Sequence, residues 1–174
     1  MIVMESAFAQ DPANVFFPPA SARESSMTAK AFFVAPKDYA RPLNVVGEHI
    51  TVLASGAATD GYEIFLQAGP EGSGPIPHAH PWDESFYVTN GEVDFGIGDD
   101  ATVAALPGTL VHIPSGTSHW FRWRAGGGAM ISITSRLGAS SMFSEIDREI
   151  APDKPNVEKL IEIAIRHGLS ATAP

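Results

Sequence analysis

The stretch GSGPIPHAHPWDESFYVTNG, residues 72–91, decides the fold assignment because it places two histidines and a glutamate at even spacing. Side chains in a β-strand alternate between the two faces of a sheet. An unbroken strand would therefore present His78, His80 and Glu84 on one face. The alternation continues with apolar residues beyond Glu84, which predicts an apolar wall beside the three polar side chains.

A second stretch, GTLVHIPSGTSHWFRW at residues 108–123, supplies a third histidine, His119, which follows Glu84 by 35 residues. The turn residues PSG before it predict that a returning strand begins near His119. Three imidazoles and one carboxylate on one concave face suit a divalent transition metal ion. Four ligands from two adjacent strands would leave one or two metal positions open to water or substrate.

These two stretches resemble the two motifs of the cupin superfamily. The first, G-x5-H-x-H-x3-E-x6-G, is matched at every fixed position. The second, G-x5-P-x-G-x2-H-x3-N, is matched except that Trp123 stands in place of the final Asn. The strands predicted on either side extend the resemblance over roughly residues 31–135. The resemblance implies one metal ion held by His78, His80, Glu84 and His119.

Within that superfamily, the sequence is similar to single-domain proteins of the quercetin 2,3-dioxygenase-like group, through the run Glu84–Val88 and a C-terminal helix. In those dioxygenases the residue that matches Glu84 also serves as a base, which makes Glu84 the candidate catalytic residue. The resemblance therefore implies a metal-dependent dioxygenase that acts on a small phenolic or enolic, flavonol-like substrate. Two alternatives stay open: a non-oxidative metal enzyme (isomerase, cyclase or lyase), and a small-molecule-binding cupin without catalysis. The metal would be Fe, Mn, Ni, Co, Cu or Zn.

Bulky apolar side chains near the predicted ligands are candidates for the substrate pocket, although such residues more often fill a barrel core. The candidates are Phe86, Val88, Phe121, Trp123, Met130 and Trp82. Met142 and Phe143, which follow the last predicted strand, are candidates to cap the barrel mouth. The remaining histidines lack a ligand spacing and are interpreted as ordinary surface or core residues.

Composition excludes several classes of protein. The chain has 174 residues and a mass of 18.5 kDa, which suits one domain. Its 11 basic and 20 acidic residues give a net charge of −9, which argues against a nucleic-acid partner. The absence of Cys excludes disulfides and thiol nucleophiles. No apolar run reaches the length of a membrane span, so we expect no membrane partner and a cytoplasmic location.

Many short apolar segments separated by turn residues predict an all-β fold, the cupin double-stranded β-helix, or jelly-roll barrel, over residues 31–150. Asn90-Gly91 lies between two apolar runs and predicts a hairpin. Exposed barrel edges predict a homodimer. The predicted strands are Ala31–Val34, Ile50–Ala54, Tyr62–Ala68, His78–Thr89, Val93–Ile97, Thr102–Ala105, Thr109–Ile113, His119–Arg124 and Met130–Ser135.

The two ends of the chain have different patterns. Residues 1–30 are rich in Pro, Ala and Ser and are expected to form an arm that is disordered or packed against a partner subunit. Residues 151–174 are expected to form a C-terminal helix and tail, with Pro155 near the helix start and Gly168 past its end. Its apolar stripe, expected to pack on the outside of the sheets, consists of Val157, Leu160, Ile161, Ala164 and Ile165.

Overall fold

The structure, a computed structural model, describes residues 30–98, 102–135 and 138–171, so the predicted N-terminal arm lies outside the described residues except for Lys30. A short 3-10 helix spans Pro36–Asp38. The strands are β1 (Leu43–Val45), β2 (Glu48–Ala54), β3 (Tyr62–Gly69), β4 (His78–Ala79), β5 (Glu84–Ile97), β6 (Val103–Ala105), β7 (Leu110–Ile113), β8 (His119–Ser135) and β9 (Ser170–Ala171). The helices are α1 (Gly56–Thr59), α2 (Ala139–Glu149) and α3 (Val157–Arg166).

Strand β8 organises the sheet because it has partners on both sides. It pairs antiparallel with β3 over one half and with β5 along most of its length. The start of β8 also pairs with β4, and β5 pairs on its other side with β6 and β7. This curled, wholly antiparallel sheet confirms the predicted all-β jelly roll.

The prediction of a hairpin at Asn90-Gly91 is wrong. Strand β5 continues through both residues, and its register against β8 shifts on either side of them. Gly91 has a φ of +75°, and a side chain there would collide with the backbone of Gly127. Glycine thus lets the two long strands bulge and bend past each other instead of reversing. The strands predicted over His119–Arg124 and Met130–Ser135 are likewise one continuous strand, β8.

Other strand boundaries also differ from the prediction. Residues 31–34 form no strand, and the short strands β1 and β9 were not predicted. The strand predicted over His78–Thr89 is divided, since β4 ends at Ala79 and β5 begins at Glu84. Pro81 lies in the gap and has no backbone N–H to give to a sheet ladder. Within the described part of the chain, no helix is long and apolar enough to cross a membrane.

The apolar residues form two clusters, one inside the barrel and one between the sheet and the helices. The barrel cluster contains Phe86, Val88, Val93, Phe95, Ala105, Val111, Ile113, Phe121, Trp123 and Met130. The second cluster contains Ile50, Phe65, Trp82, Ala139, Met142, Ile146, Ile150 and Ile163. The helices therefore complete the core of the sheet rather than stand apart from it.

The C-terminal helix is confirmed, with the side chain of Asn156 accepting a hydrogen bond from the N–H of Lys159 at its start. The predicted packing of its apolar stripe is corrected. Ile163 is the fully buried residue of α3, whereas Val157 and Ile165 are 61% and 64% exposed. The stripe predicted to be buried lies instead at the edge of a cavity, described below, where part of it stays in contact with solvent.

Glu63 is a buried charge that joins α2 to the sheet. Its carboxylate accepts hydrogen bonds from the N–H groups of Gly138 and Ser140 at the start of α2, at 3.4 and 3.0 Å, and from the Ser140 hydroxyl. It also accepts from the N–H of Gly56, at 3.2 Å. These N–H groups have no partner within their own helix, and the positive end of the helix dipole favours an anion there.

We expect Glu63→Gln to lower the free energy of unfolding by about 2 kcal/mol, because the amide loses the charge and offers hydrogen where an acceptor is needed. The matched control is Glu92→Gln, since Glu92 is half exposed and pairs with Arg124 at the surface. That control is expected to change the free energy by less than about 0.5 kcal/mol. Urea unfolding of both variants measures the difference, and equal effects would contradict the assigned role.

Candidate metal centre

The three predicted histidine ligands lie together. His78 on β4 is the register partner of His119 at the start of β8, and their ring centroids are 4.4 Å apart. The ring of His80 is 4.8 Å from that of His119 and 5.7 Å from that of His78. One nitrogen of each ring lies within 4.8 Å of the others, so the three side chains can hold a metal ion.

Glu84 reaches the same point although the strand is broken before it. Its Oε2 lies 3.0 Å from Nε2 of His80 and 3.7 Å from Nε2 of His119. The expectation that all the residues from His78 to Glu84 would share one unbroken strand is therefore wrong. The chain bends at Pro81 and Trp82 and still brings Glu84 to the histidines.

A backbone carbonyl fixes the orientation of each imidazole. Nδ1 of His78 lies 2.9 Å from the carbonyl of Ile76, and Nδ1 of His119 lies 2.9 Å from that of Thr117. Nδ1 of His80 lies 2.8 Å from the carbonyl of Trp82. A carbonyl can only accept, so each Nδ1 bears a proton and each ring directs Nε2, the nitrogen that can offer a lone pair to a metal ion, to the centre.

These inward lone pairs fit a cation. The buried Nε2 of His119 has no hydrogen-bond partner among the described residues. Nε2 of His80 meets a carboxylate oxygen, which is also an acceptor. Acceptors that converge in a buried place are costly unless a positive ion or a proton lies between them. Imidazole nitrogens with one carboxylate are a donor set that divalent transition metals favour.

The local electrostatics favour the protonation states that a metal needs. Burial, followed by the nearby His119, lowers the pKa of His78 to about 4. Burial alone would raise the pKa of Glu84, but the adjacent His119 and His80 outweigh it and lower that pKa to about 2. At neutral pH, His78 is thus a neutral metal ligand and Glu84 an anionic one. Few protons therefore compete with a metal ion for these two side chains.

A largely apolar cavity of about 420 Å³ adjoins these residues. His78, Glu84 and His119 line one part of it, and Met142 and Phe143 of α2 line another. Residues of α3 complete the lining, including the partly exposed stripe. Sequence reasoning did not anticipate α2 as a helix, and it placed α3 on the outside of the sheets.

Of the six predicted pocket residues, two line the cavity and four do not. Phe86 and Phe121 line the cavity. Trp82 does not line it; its ring stacks on that of His80, with centroids 4.6 Å apart and planes at 10°, and so supports a candidate ligand from behind. The others, which pack further along their strands in the barrel core, are Val88, Trp123 and Met130.

Two polar cavity residues were missed by sequence reasoning. Glu48 on β2 and Gln67 on β3 are both buried, and both line the cavity. The available signal was parity, since Gln67 alternates with the buried residues Glu63 and Phe65 along β3. The histidines interpreted as ordinary lie elsewhere; His112, for example, contacts the Ser85 hydroxyl at 2.9 Å.

Residues 65–133 match the cupin domain family. The chain contains a cupin domain. Both motif stretches, residues 72–91 and 108–123, fall within this match, and so do the candidate metal ligands His78, His80, Glu84 and His119.

Solved structures share the cupin fold of this chain. KdgF from Halomonas sp. is 17% identical, with a TM-score of 0.58 over 64% of this chain and 99% of that one. An RmlC-like cupin from Shewanella frigidimarina is 17% identical, with a TM-score of 0.56 over 64% and 96%. The polyketide cyclase RemF from Streptomyces resistomycificus is 19% identical, with a TM-score of 0.54 over 61% and 79%. No curated protein matches the sequence closely enough to count as a relative.

We expect the purified cupin to bind about one divalent metal ion per chain and His119→Ala to weaken metal affinity by at least about 100-fold. The reason is that the substitution removes an inward lone pair that the fold leaves without a partner. His112→Ala is the matched control, because His112 lies on β7 outside the cavity. Elemental analysis and competitive chelator titration measure the loss. Equal metal content in both variants would overturn the assignment.

The metal-free protein should lose stability as pH falls from about 6.5 to about 4. Folded His78 has a pKa of about 4 against an ordinary value of 6.5, so in this interval the unfolded chain binds more protons and unfolding is favoured. The loss approaches about 3 kcal/mol at the acidic end. Urea unfolding in the presence of a chelator should show a shallower pH dependence for His78→Asn than for wild type. His49→Asn, which changes an exposed histidine, should keep the wild-type dependence.

Proposed function

We propose that this cupin is a metal-dependent dioxygenase that acts on a small phenolic or enolic, flavonol-like compound. The observation that carries the proposal is a cluster of three imidazoles and one carboxylate of which His78, His119 and Glu84 open onto an apolar cavity of about 420 Å³. A cavity of this size accommodates a small aromatic molecule. Polar groups at one end of an apolar cavity favour a ligand with an oxygen-bearing end and a planar apolar body.

His78, His80, His119 and Glu84 are the residues that would hold the ion, which we propose to be Fe, Mn, Ni, Co, Cu or Zn. Such an ion supplies Lewis acidity toward a substrate oxygen and, when it is redox-active, electron exchange with dioxygen. The pKa of about 2 keeps Glu84 ionised at neutral pH. Its carboxylate is therefore available to accept the proton of a substrate hydroxyl at this end of the cavity.

The walls of the cavity would orient the substrate and exclude water. Phe86 and Phe121 rise from the barrel beside the histidines, with ring centroids 5.9 Å apart. Met142 and Phe143 face them from α2. Apolar walls on both sides would favour a flat aromatic ring, and the exclusion of bulk water strengthens electrostatic interactions at the polar end.

The test is oxygen consumption by the protein reconstituted with each of the candidate metals and supplied with a panel of flavonols and catechols. We expect uptake with at least one redox-active metal, together with a ring-cleaved product. Glu84→Gln is expected to reduce turnover by about 100-fold or more, because the amide cannot accept the proton. Glu92→Gln, the surface counterpart, should leave turnover unchanged.

The other outcomes distinguish the two alternatives. A product formed without oxygen uptake, including with zinc, would replace the dioxygenase by a Lewis-acid isomerase, cyclase or lyase. A ligand-induced rise in melting temperature with no product under any metal would make the protein a binding module. The absence of oxygen uptake with every metal and substrate would overturn the proposed reaction.

We also propose that the protein forms a homodimer. Within the described residues, β6 and β7 each pair with β5 alone, so each leaves one strand edge open. Val103, Leu106 and Leu110 next to these edges are more than half exposed. Open edges with apolar side chains favour pairing with a second copy. Gel filtration should give about twice the 18.5 kDa of one chain, and elution at that single mass would contradict the proposal.

A further inference from the structure

The cavity contains a second buried carboxylate, which the candidate metal centre does not use. Glu48, at the start of β2, is 4% exposed and lines the same cavity as His78 and His119. Gln67 is the polar residue beside it. Most of the remaining lining is apolar, so Glu48 and Gln67 form a small polar patch on an otherwise apolar cavity wall.

Neutral donors hold the Glu48 carboxylate. The indole Nε1–H of Trp123 donates to Oε2 at 3.1 Å, and the amide of Gln67 donates to the same oxygen at 3.5 Å. The hydroxyl of Ser73 donates to Oε1. None of the ion pairs found in the described part of the chain includes Glu48.

A buried carboxylate without a cationic partner is expensive, and neutral hydrogen bonds offset only part of that cost. Each carboxylate oxygen can accept about two hydrogen bonds. Oε2 of Glu48 already has two donors, whereas Oε1 has the Ser73 hydroxyl alone among the donors that the structure describes. One acceptor position therefore stays open on a group that lines the cavity.

Trp123 and Gly69 form part of the surroundings of the Glu48 carboxylate: one donates a hydrogen bond to it and the other leaves space for it. Trp123 stands where the second cupin motif has Asn, and its side chain is 1% exposed in the barrel core. Its rigid indole thus delivers a donor to Glu48 from a fixed direction. At Gly69 any side chain would collide with Oε1 of Glu48, so the glycine makes room for the carboxylate.

We propose that Glu48 is a second anchor for the ligand and binds a hydrogen-bond-donating group, an ammonium or a hydroxyl, at a distance from the metal centre. This rests on the proposed function only for the oxygen-bearing end of the ligand. The substrate class is then an aromatic compound with a metal-binding oxygen and, across an apolar body, a donor group. An ammonium is bound more tightly than a hydroxyl, because it also neutralises the buried charge.

Three catechols that differ at one position test the proposal: 4-ethylcatechol, 4-(2-hydroxyethyl)catechol and 4-(2-aminoethyl)catechol. Calorimetric titration uses the zinc-loaded protein without oxygen, so that no turnover interferes. We expect the amine to bind at least about 10-fold more tightly than the ethyl compound, with the alcohol between them. Glu48→Gln should reduce the preference for the amine to less than about 3-fold, while Glu92→Gln should retain it.

A second variant tests the role of Glu48 if Glu48→Gln does not fold. Gln67→Lys would place an internal cation beside the intact carboxylate and should likewise remove the preference for the amine. Equal affinities of the three catechols for wild type would overturn the proposal. A preference that persists in the variants would also overturn it.

The result is separable from the proposed reaction. If zinc fails to bind, the same three titrations are made on the metal-free protein, where the Glu48 anchor predicts the same order of affinity. A preference for the amine without oxygen uptake would remove the dioxygenase and leave the anchor. Oxygen uptake without a preference for the amine would support the dioxygenase and overturn the Glu48 anchor.

Discussion

Three imidazole lone pairs that face one another are the constraint on which the site depends. Backbone carbonyls hold the Nδ1 proton of His78, His80 and His119, so none of the rings can turn its N–H inward without losing a hydrogen bond. Among the described residues, Nε2 of His119 then has no hydrogen-bond partner, and Nε2 of His80 meets a carboxylate oxygen. A cation relieves that conflict, and the register between β4 and β8 keeps the rings close enough to share it.

The candidate ligands could be found from the sequence because their spacing survives local irregularity. Alternation alone would have failed at Pro81, where the strand breaks; what persists is the chain length between His80 and Glu84, which the bend converts into a short distance. The hairpin prediction failed for a related reason. Asn90-Gly91 has the local chemistry of a turn, but long-range pairing with β8 keeps it inside a strand, and the glycine bends it instead.

The walls of the cavity were harder to predict than its metal-facing end. Phe86 and Phe121 share the parity of the ligands and line the cavity, whereas Trp123 has the same parity and lies deeper in the core. Parity gives the face of a strand but not the depth along the barrel axis. The helices pose a similar difficulty, because the apolar stripe of α3 has the same spacing whether it covers a sheet or borders a cavity.

The candidate metal ligands and the opposite wall of the cavity come from different parts of the chain. Strands β4, β5 and β8, together with the segment between β4 and β5 that carries His80, contribute the histidines and Glu84. Helices α2 and α3, which follow the barrel in sequence, contribute the opposite wall. Glu63 joins α2 to the sheet through backbone N–H groups and the Ser140 hydroxyl, and not through the side chains of α2 that line the cavity. Substitutions at positions of α2 and α3 that line the cavity can therefore change its shape while the candidate metal ligands stay in place. Ligand selectivity and the binding of the ion would then be determined by different parts of the sequence.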